Sequence, residues 1–339
     1  MTIADRCSEA ADASIAELPA LAPYGRARRG DFDLDLELTH GGSANVRLRY
    51  EIVGPEDAPV LVAAGGISAG RHVIASNGFP EEGWWQSQAG TFRLPAFRLL
   101  SIDWIGADGL LDRPIDPADQ AEAIARLLDF RGIRSIAGFI GASYGAMVGM
   151  HFTAKYAGRC GALLAISASA SAHPFASACR ALQRQALTLG EAHGDSKSGV
   201  ALARAMAILT YRTPQEFSER FSAPPTVRGD RLRVTAEDYL EYQGAKHCER
   251  MCAPAYRRLS ESIDLHRIDP AAIGVPLTLV AVDQDGLVPS ADICALAEQL
   301  PGCSFHLIHS RFGHDAFLKE DAEVGAIIGT FLNSLELSK

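Results

Sequence analysis

Hydrophobic residues fall into two recurring arrangements along the chain, and the switch between them gives the first picture of the fold. Val46-Arg47-Leu48-Arg49-Tyr50 alternates apolar and polar residues, the period of a strand with one buried face. Pro59-Val60-Leu61-Val62-Ala63-Ala64 is a continuous apolar run ending in Gly65-Gly66, as in a strand covered on both faces. Phe97–Ile102, residues 135–140, Ala162–Ile166, Leu277–Val282 and Phe305–Ile308 repeat that second arrangement. Helical stripes lie between them. Asp116-Pro117 predicts an N-cap with proline at the first helical position, and Ile124, Leu127 and Leu128 supply one apolar face. Further helices are expected from about Tyr144, over 290–300, and through Val324, Ile327, Ile328, Phe331 and Leu332.

This alternation predicts an α/β protein with a mostly parallel sheet and helices on both faces. It breaks off after Ser167. From about His173 to His266 the chain reads as helical segments punctuated by Gly190, Gly194, Pro214 and Pro224-Pro225, with no buried-strand run. Such a stretch is too long for a plain connection and is expected to form an inserted helical lid. The resulting organisation is an N-terminal arm over 1–30, a sheet core over 31–171 and 267–339, and a helical lid insertion over 172–266.

Composition narrows the class. The 339 residues are 47% hydrophobic and 22% charged, enough to bury a full core without disulfides or metals. The net charge of -9 argues against a nucleic acid or an anionic membrane as partner. A phosphate-bearing ligand would need a local basic patch against that field. Seven scattered cysteines make no disulfide framework and fit a reducing compartment. His247-Cys248 and Cys252 lack a second pair at ligand spacing, so no metal is expected. Asp5, Arg6, Glu9 and Asp12 replace the apolar stretch of a signal peptide, and no apolar run reaches membrane-spanning length. A cytoplasmic location is expected.

The chemistry concentrates at Gly141-Ala142-Ser143-Tyr144-Gly145, which fits G-x-S-x-G at a strand-to-helix turn. There a sharp turn lifts the hydroxyl above the carboxyl edge of the sheet, and bulky neighbours would clash. A serine needs a base to take its proton. His314, in a glycine-containing loop just past the last strand, is the candidate; His306 and His309 lie on or at the end of the strand itself. Asp283 and Asp285 both follow strand 277–282 as candidate orienting acids. Asp285 is preferred because Asp285-Gly286-Leu287-Val288-Pro289 supplies a turn, with Asp283 as the alternative. The amides of Ile67, in the loop after Ala64, and of Tyr144 are the expected oxyanion donors.

Beyond this motif the chain resembles the homoserine O-acyltransferases of the α/β-hydrolase superfamily, from about residue 45 onward. The matching segments are "GWW" at Gly83-Trp84-Trp85, "GASYGAMVG" at the elbow, "HPFASACRALQRQAL" and "ALARAMAILTYRTPQEFSERF" in the insertion, and "FGHDAFL" around His314. The resemblance implies a Ser143, Asp285, His314 triad. It implies that Arg204 binds the acceptor's carboxylate, with Tyr211 beside it, and that Asp315 holds the amino group. It implies dimerisation through the lid, L-homoserine and acyl-CoA as substrates, and no cofactor beyond acyl-CoA as co-substrate. An amino acid does need a cation for its carboxylate and an anion for its ammonium.

Two features depart from the acetyl-transferring members. The elbow reads Ser-Tyr-Gly-Ala where they usually have Ser-Met-Gly-Gly, and Trp104–Pro114 is shorter than their glycine- and threonine-rich loop. The "SYGAM" elbow resembles succinyl-transferring members. Succinyl-CoA is therefore the expected donor and acetyl-CoA the alternative. A second carboxylate in a closed site needs a cation, for which Arg71 in "SAGRH" is the first candidate and Arg180 and Arg184 are others. A plain serine esterase with the same triad is the rival reading, and a non-catalytic receptor on this fold is a more distant one.

Overall fold

The computed structural model describes residues 26–337. In chain order the elements are β1 (Ala27–Leu38), β2 (Gly42–Val53), β3 (Val60–Ala64), β4 (Arg98–Ile102), α1 (Pro117–Phe130), β5 (Gly138–Ala142), α2 (Tyr144–Lys155) and β6 (Leu163–Ile166). The insertion follows with α3 (Pro174–Ala192), α4 (Ser196–Tyr211), α5 (Pro214–Arg220), β7 (Thr226–Arg228), β8 (Arg231–Arg233), α6 (Thr235–Cys248) and α7 (Ala253–Leu265). The chain then returns through β9 (Leu277–Val282), α8 (Ser290–Glu298), β10 (Ser304–Ile308) and α9 (Asp321–Leu337).

Eight strands form one sheet in the order β1-β2-β4-β3-β5-β6-β9-β10. The strands β4, β3, β5, β6, β9 and β10 run parallel, while β1 and β2 add an antiparallel edge. The continuous apolar runs sit where that pattern requires. Every residue of β3, β5 and β6 is buried, because helices cover both faces. One face packs against α1, α2 and the lid, with Ile124, Leu127 and Leu128 at 0% exposure. The other packs against α9 and the Trp85, Phe92 and Phe97 cluster. Asp116 caps α1 as predicted: its carboxylate accepts from Ala118 N, and Asp119 returns a bond to Asp116 N.

Two elements differ from the sequence reading. Strand β1 begins at Ala27, inside the segment assigned to the arm; residues 1–25 of that segment lie outside the described residues. Its alternation is real, with Leu34, Leu36 and Leu38 buried between exposed acids, and Asp33 opposite Arg47 contributes a 2.7 Å ion pair. The insertion also carries the small antiparallel hairpin β7–β8 among its helices. Both ends of the insertion meet at one narrow neck. Ile268 N donates to Ala170 O at 2.9 Å, Ser171 bridges Arg267, and the His266 ring bonds Ser169 O at 2.8 Å.

Candidate active site

Ser143 stands at the junction of β5 and α2 with φ 54° and ψ -119°, a backbone that a non-glycine residue seldom adopts. The flanking glycines make the turn possible. A Cβ on Gly141 would lie 2.5 Å from Ala146 Cα, and one on Gly145 would lie 2.1 Å from Ala64 O. The elbow is thus wedged between its own helix and the end of β3. Gly145 N donates to Gly65 O at 2.8 Å, which fastens the loop carrying Ile67 beside the serine. Trp104 Nε1 on Gly66 O, at 3.0 Å, and Trp84 Nε1 on Gly70 O, also 3.0 Å, hold the rest of that loop.

His314 Nε2 lies 2.8 Å from Ser143 Oγ, and His314 Nδ1 lies 2.7 Å from Asp285 Oδ2. The other oxygen of Asp285 accepts from Leu287 N at 2.8 Å and Val288 N at 3.0 Å, so the turn foreseen after Asp285 orients its carboxylate. Asp283 points elsewhere, accepting from Ser310 N at 3.1 Å and bonding the exposed His309 ring at 3.0 Å. Both His314 and Asp285 are buried. Burial alone would lower the proton affinity of His314, but the Asp285 carboxylate outweighs it and holds the imidazole above its ordinary range. Tyr144 buries its ring, and its hydroxyl bonds Ser262 at 2.6 Å.

Above Ser143 a cavity of about 500 Å³ opens between the sheet edge and the lid. Ile67, Arg180, Arg204, Tyr211, His314 and Asp315 are among its walls. Lid and histidine loop are knitted together: Thr213 Oγ1 donates to Arg311 O at 2.5 Å, and a Cβ on Gly313 would lie 2.8 Å from Tyr211 O. The Tyr211 ring stacks 5.9 Å from the His314 ring. Arg204 lies over the Tyr211 ring at 5.3 Å and has no ion pair among the described residues. Its charge adds to burial in lowering the proton affinity of His247, to about 4.

Two other candidates are already engaged. Asp315 is paired with Arg212 at 2.9 Å, and Arg212 also bonds Glu216 at 2.7 Å. Arg71 is not part of the cavity wall. Its backbone amide donates to Asp103 at 2.8 Å, and its guanidinium faces Asp31 and Asp103 at 3.7 Å each. Arg180 and Arg184 converge on Asp264, both at 2.7 Å, and Arg180 reaches the cavity. Arg212, Gln183 and Tyr256 are among the wall residues to which the sequence reading assigned no role, the last two joined by a 3.0 Å hydrogen bond. Arg212 and Gln183 both lie within the lid segments that carry the resemblance, whereas Tyr256 lies outside them.

Comparison with known proteins agrees with this architecture. The α/β hydrolase fold family matches residues 71–321. A homoserine O-succinyltransferase of Xanthomonas campestris pv. campestris is 52% identical over 338 residues, covering 98% of this chain and 89% of that protein. A homoserine O-acetyltransferase of Thermus thermophilus is 33% identical over 287 residues, 75% of this chain and 73% of its own. Among solved structures, a homoserine O-acetyltransferase from Bacillus anthracis superposes with a TM-score of 0.81 at 16% identity, covering 91% of this chain and 98% of that one. An esterase crystal structure reaches 0.82 at 15% identity, with 91% and 100% covered. These last two show the fold alone. With a family match over most of its length and half its residues shared with a full-length relative, the chain belongs to the α/β-hydrolase family and, within it, to the homoserine O-acyltransferases.

Proposed function

We propose that the protein is a homoserine O-succinyltransferase, moving a succinyl group from succinyl-CoA to the hydroxyl of L-homoserine in methionine biosynthesis, through an acyl-enzyme on Ser143. The observation that carries this is one cavity holding both the Ser143–His314–Asp285 relay and Arg204, a cation without a counter-ion among the described residues. The 52% identity to a homoserine O-succinyltransferase supports the choice of donor.

Ser143 Oγ passes its proton to His314 Nε2 and attacks the thioester carbonyl. The oxyanion is received by the amides of Ile67 and Tyr144. The C–S bond breaks, and the His314 proton leaves with the CoA sulfur. The acceptor hydroxyl next gives its proton to His314 and attacks the acyl ester, and Ser143 Oγ recovers that proton. Arg204 takes the acceptor's carboxylate, Tyr211 flanks it, and Asp315, steadied by Arg212, takes the ammonium. For the second carboxylate of the succinyl group Arg180 is the better partner than Arg71. Asp264 and Ser177 hold its Nε and Nη2, leaving Nη1 to meet the ligand, whereas Arg71 faces Asp31 and Asp103.

The reading extends to assembly and location. Leu182 and Leu189 on α3, and Leu202 and Leu209 on α4, are each more than half exposed and seven residues apart, so each helix shows an apolar stripe outward. These stripes are the dimer contact, and light scattering checks it. The enzyme works in the cytoplasm; no described helix is long and apolar enough to cross a membrane.

Intact-protein mass spectrometry tests the whole. Mixing with succinyl-CoA gives a protein heavier by one succinyl group, and adding L-homoserine removes it as the O-succinyl product. No adduct on Ser143, or discharge to water as fast as to homoserine, defeats the proposal and favours an esterase. A clear kcat/KM advantage for acetyl-CoA defeats the succinyl assignment.

A further inference from the structure

At the opposite end of the sheet from Ser143, the strands β3 and β4 begin side by side, with Val60 opposite Arg98. A cavity of about 250 Å³ lies under these starts, walled by the beginning of β1, the β2–β3 turn and the C-terminal end of α1. Arg26, Arg28, Arg98 and Arg131 all line it, and among the described residues Glu56 is the one acid in its walls. Glu56 is taken by Arg28, at 3.1 Å. The other three guanidiniums have no carboxylate partner among the described residues. The Nε atoms of Arg98 and Arg131 are both buried without a hydrogen-bond partner among the described residues. Buried guanidinium nitrogens are rarely left so, because the water they lose is not replaced.

The arrangement is built into the backbone. Gly54 has φ 118°, and a Cβ there would fall 2.8 Å from Phe97 O and 2.9 Å from Arg98 Cα, so the turn lies directly on Arg98. Arg131 is the C-cap of α1, held over the Tyr50 ring at 5.7 Å. Like charges have thus been brought together in a protein whose net charge is -9. Burial, and then Arg131, lowers the proton affinity of Arg98; Glu56 and Asp57 on the turn only partly oppose this. An anion approaching the protein meets an overall repulsive field, so only short-range contacts inside the cavity would favour its binding.

We propose that this cavity binds a compact phosphate-type oxyanion, as a second ligand site separate from the acyl-transfer site. Guanidinium forks match phosphoryl oxygens two at a time, and the two orphaned Nε–H groups supply donors already in place. The volume is below the roughly 300–1,000 Å³ of sites that hold drug-sized molecules, so one or two phosphoryl groups fill it. The five residues of β3 put about 16 Å between this cavity and the elbow at 3.3 Å per residue. Its occupancy is therefore independent of the acyl-enzyme, and the inference stands whether or not the acyl-transfer reading does.

The test uses the full-length protein in phosphate-free chloride buffer, with ionic strength held constant. Titration calorimetry with inorganic diphosphate gives saturable binding with one site per chain, and thermal unfolding shifts upward with it. In the double variant Arg98→Gln/Arg131→Gln the affinity falls at least tenfold, while the acyl-transfer kcat stays within twofold. Without ligand the double variant melts no lower than the wild type, since it has lost a partly buried like-charge pair. Arg26→Gln, at an exposed position, gives a smaller loss of about threefold and covers the case in which the double variant does not fold. Adenosine 3′,5′-bisphosphate separates the sources: tighter binding than diphosphate assigns the site to a phosphate ester, weaker binding to the free anion. Absence of saturable binding by both overturns the proposal, as does equal affinity in the Arg98/Arg131 variant.

Discussion

Replacing Asp285 by asparagine should cost the enzyme about four orders of magnitude in kcat, for a reason set by two backbone amides. Asp285 Oδ1 accepts from Leu287 N and Val288 N, so an asparagine there must keep its carbonyl oxygen on those donors. Its NH₂ group then faces His314 Nδ1, where Asp285 Oδ2 now stands at 2.7 Å. A donor at that position forces Nδ1 to accept, and the ring proton moves to Nε2. Nε2 is the atom 2.8 Å from Ser143 Oγ, and in that tautomer it cannot take the serine's proton. A wrong-tautomer histidine in a serine triad loses about 10⁴ in kcat, or about 5 kcal/mol at 1.36 kcal/mol per decade. The same substitution removes the carboxylate that holds His314 above its ordinary range and leaves the burial that lowers it. The acid limb of kcat/KM, above about 6.5 in the wild type, therefore moves down in the variant. Stability follows the same linkage. A histidine whose affinity is raised on folding contributes stability that is full below its unfolded value and is lost as pH rises through the folded one. The wild type's advantage in urea midpoint is accordingly larger at acid than at alkaline pH. CoA release followed in a stopped-flow instrument, with steady-state rates from pH 5 to 9, measures both effects. A loss smaller than a hundredfold, or an unmoved acid limb, would refute the tautomer argument.

Four further outcomes are expected. Ser143→Ala abolishes the acyl-enzyme seen by mass spectrometry and lowers turnover by several orders of magnitude; retention of a tenth of the activity removes the covalent route. Arg204→Ala raises the homoserine KM by about 30-fold or more, from about 2–5 kcal/mol for truncating a buried charge pair, while the acylation burst is unchanged. A slowed burst would instead assign Arg204 to the CoA moiety. Arg180→Ala lowers kcat/KM for succinyl-CoA at least tenfold and that for acetyl-CoA much less; an equal fall in both would make Arg180 structural. Gly145→Ala lowers the melting temperature as well as the rate, because its Cβ would meet Ala64 O at 2.1 Å and overpacking of this kind costs about 1–3 kcal/mol. Unchanged melting would show that the elbow has room to shift.

The parallel strands were legible because burial on both faces leaves no polar position to blur them; β9 coincides with its predicted limits at Leu277–Val282. Edge strand β1 went unread although its alternation is regular. Its solvent face carries Asp31, Asp33, Asp35 and Glu37, acids that disfavour a strand until arginines such as Arg47 stand across from them. Ser143 and His314 could be placed from local context, since an elbow and a loop after the last strand are short-range features. The preference for Asp285 over Asp283 rested on the turn that follows it, and it is the amides of that turn, Leu287 and Val288, that hold the Asp285 carboxylate toward His314. Arg71 and Asp315 show the remaining difficulty. What each cation or anion faces depends on Asp103, Asp31 and Arg212, residues far away in the chain, and spacing along a sequence carries no record of such pairings.

The neck of the lid has a consequence for how such enzymes diversify. Its two strands leave and rejoin the sheet side by side, tied by Ile268 N to Ala170 O and by His266 to Ser169 O. Everything from Pro174 to Leu265 is thus a detachable module, whose closure depends only weakly on how many residues it contains. Ser143, His314 and Asp285 all belong to the part left behind, whereas Arg180, Arg204 and Tyr211 travel with the module. Exchanging the insert would therefore rebuild the Arg180, Arg204 and Tyr211 side of the cavity while Asp315 and the strand register stay in place.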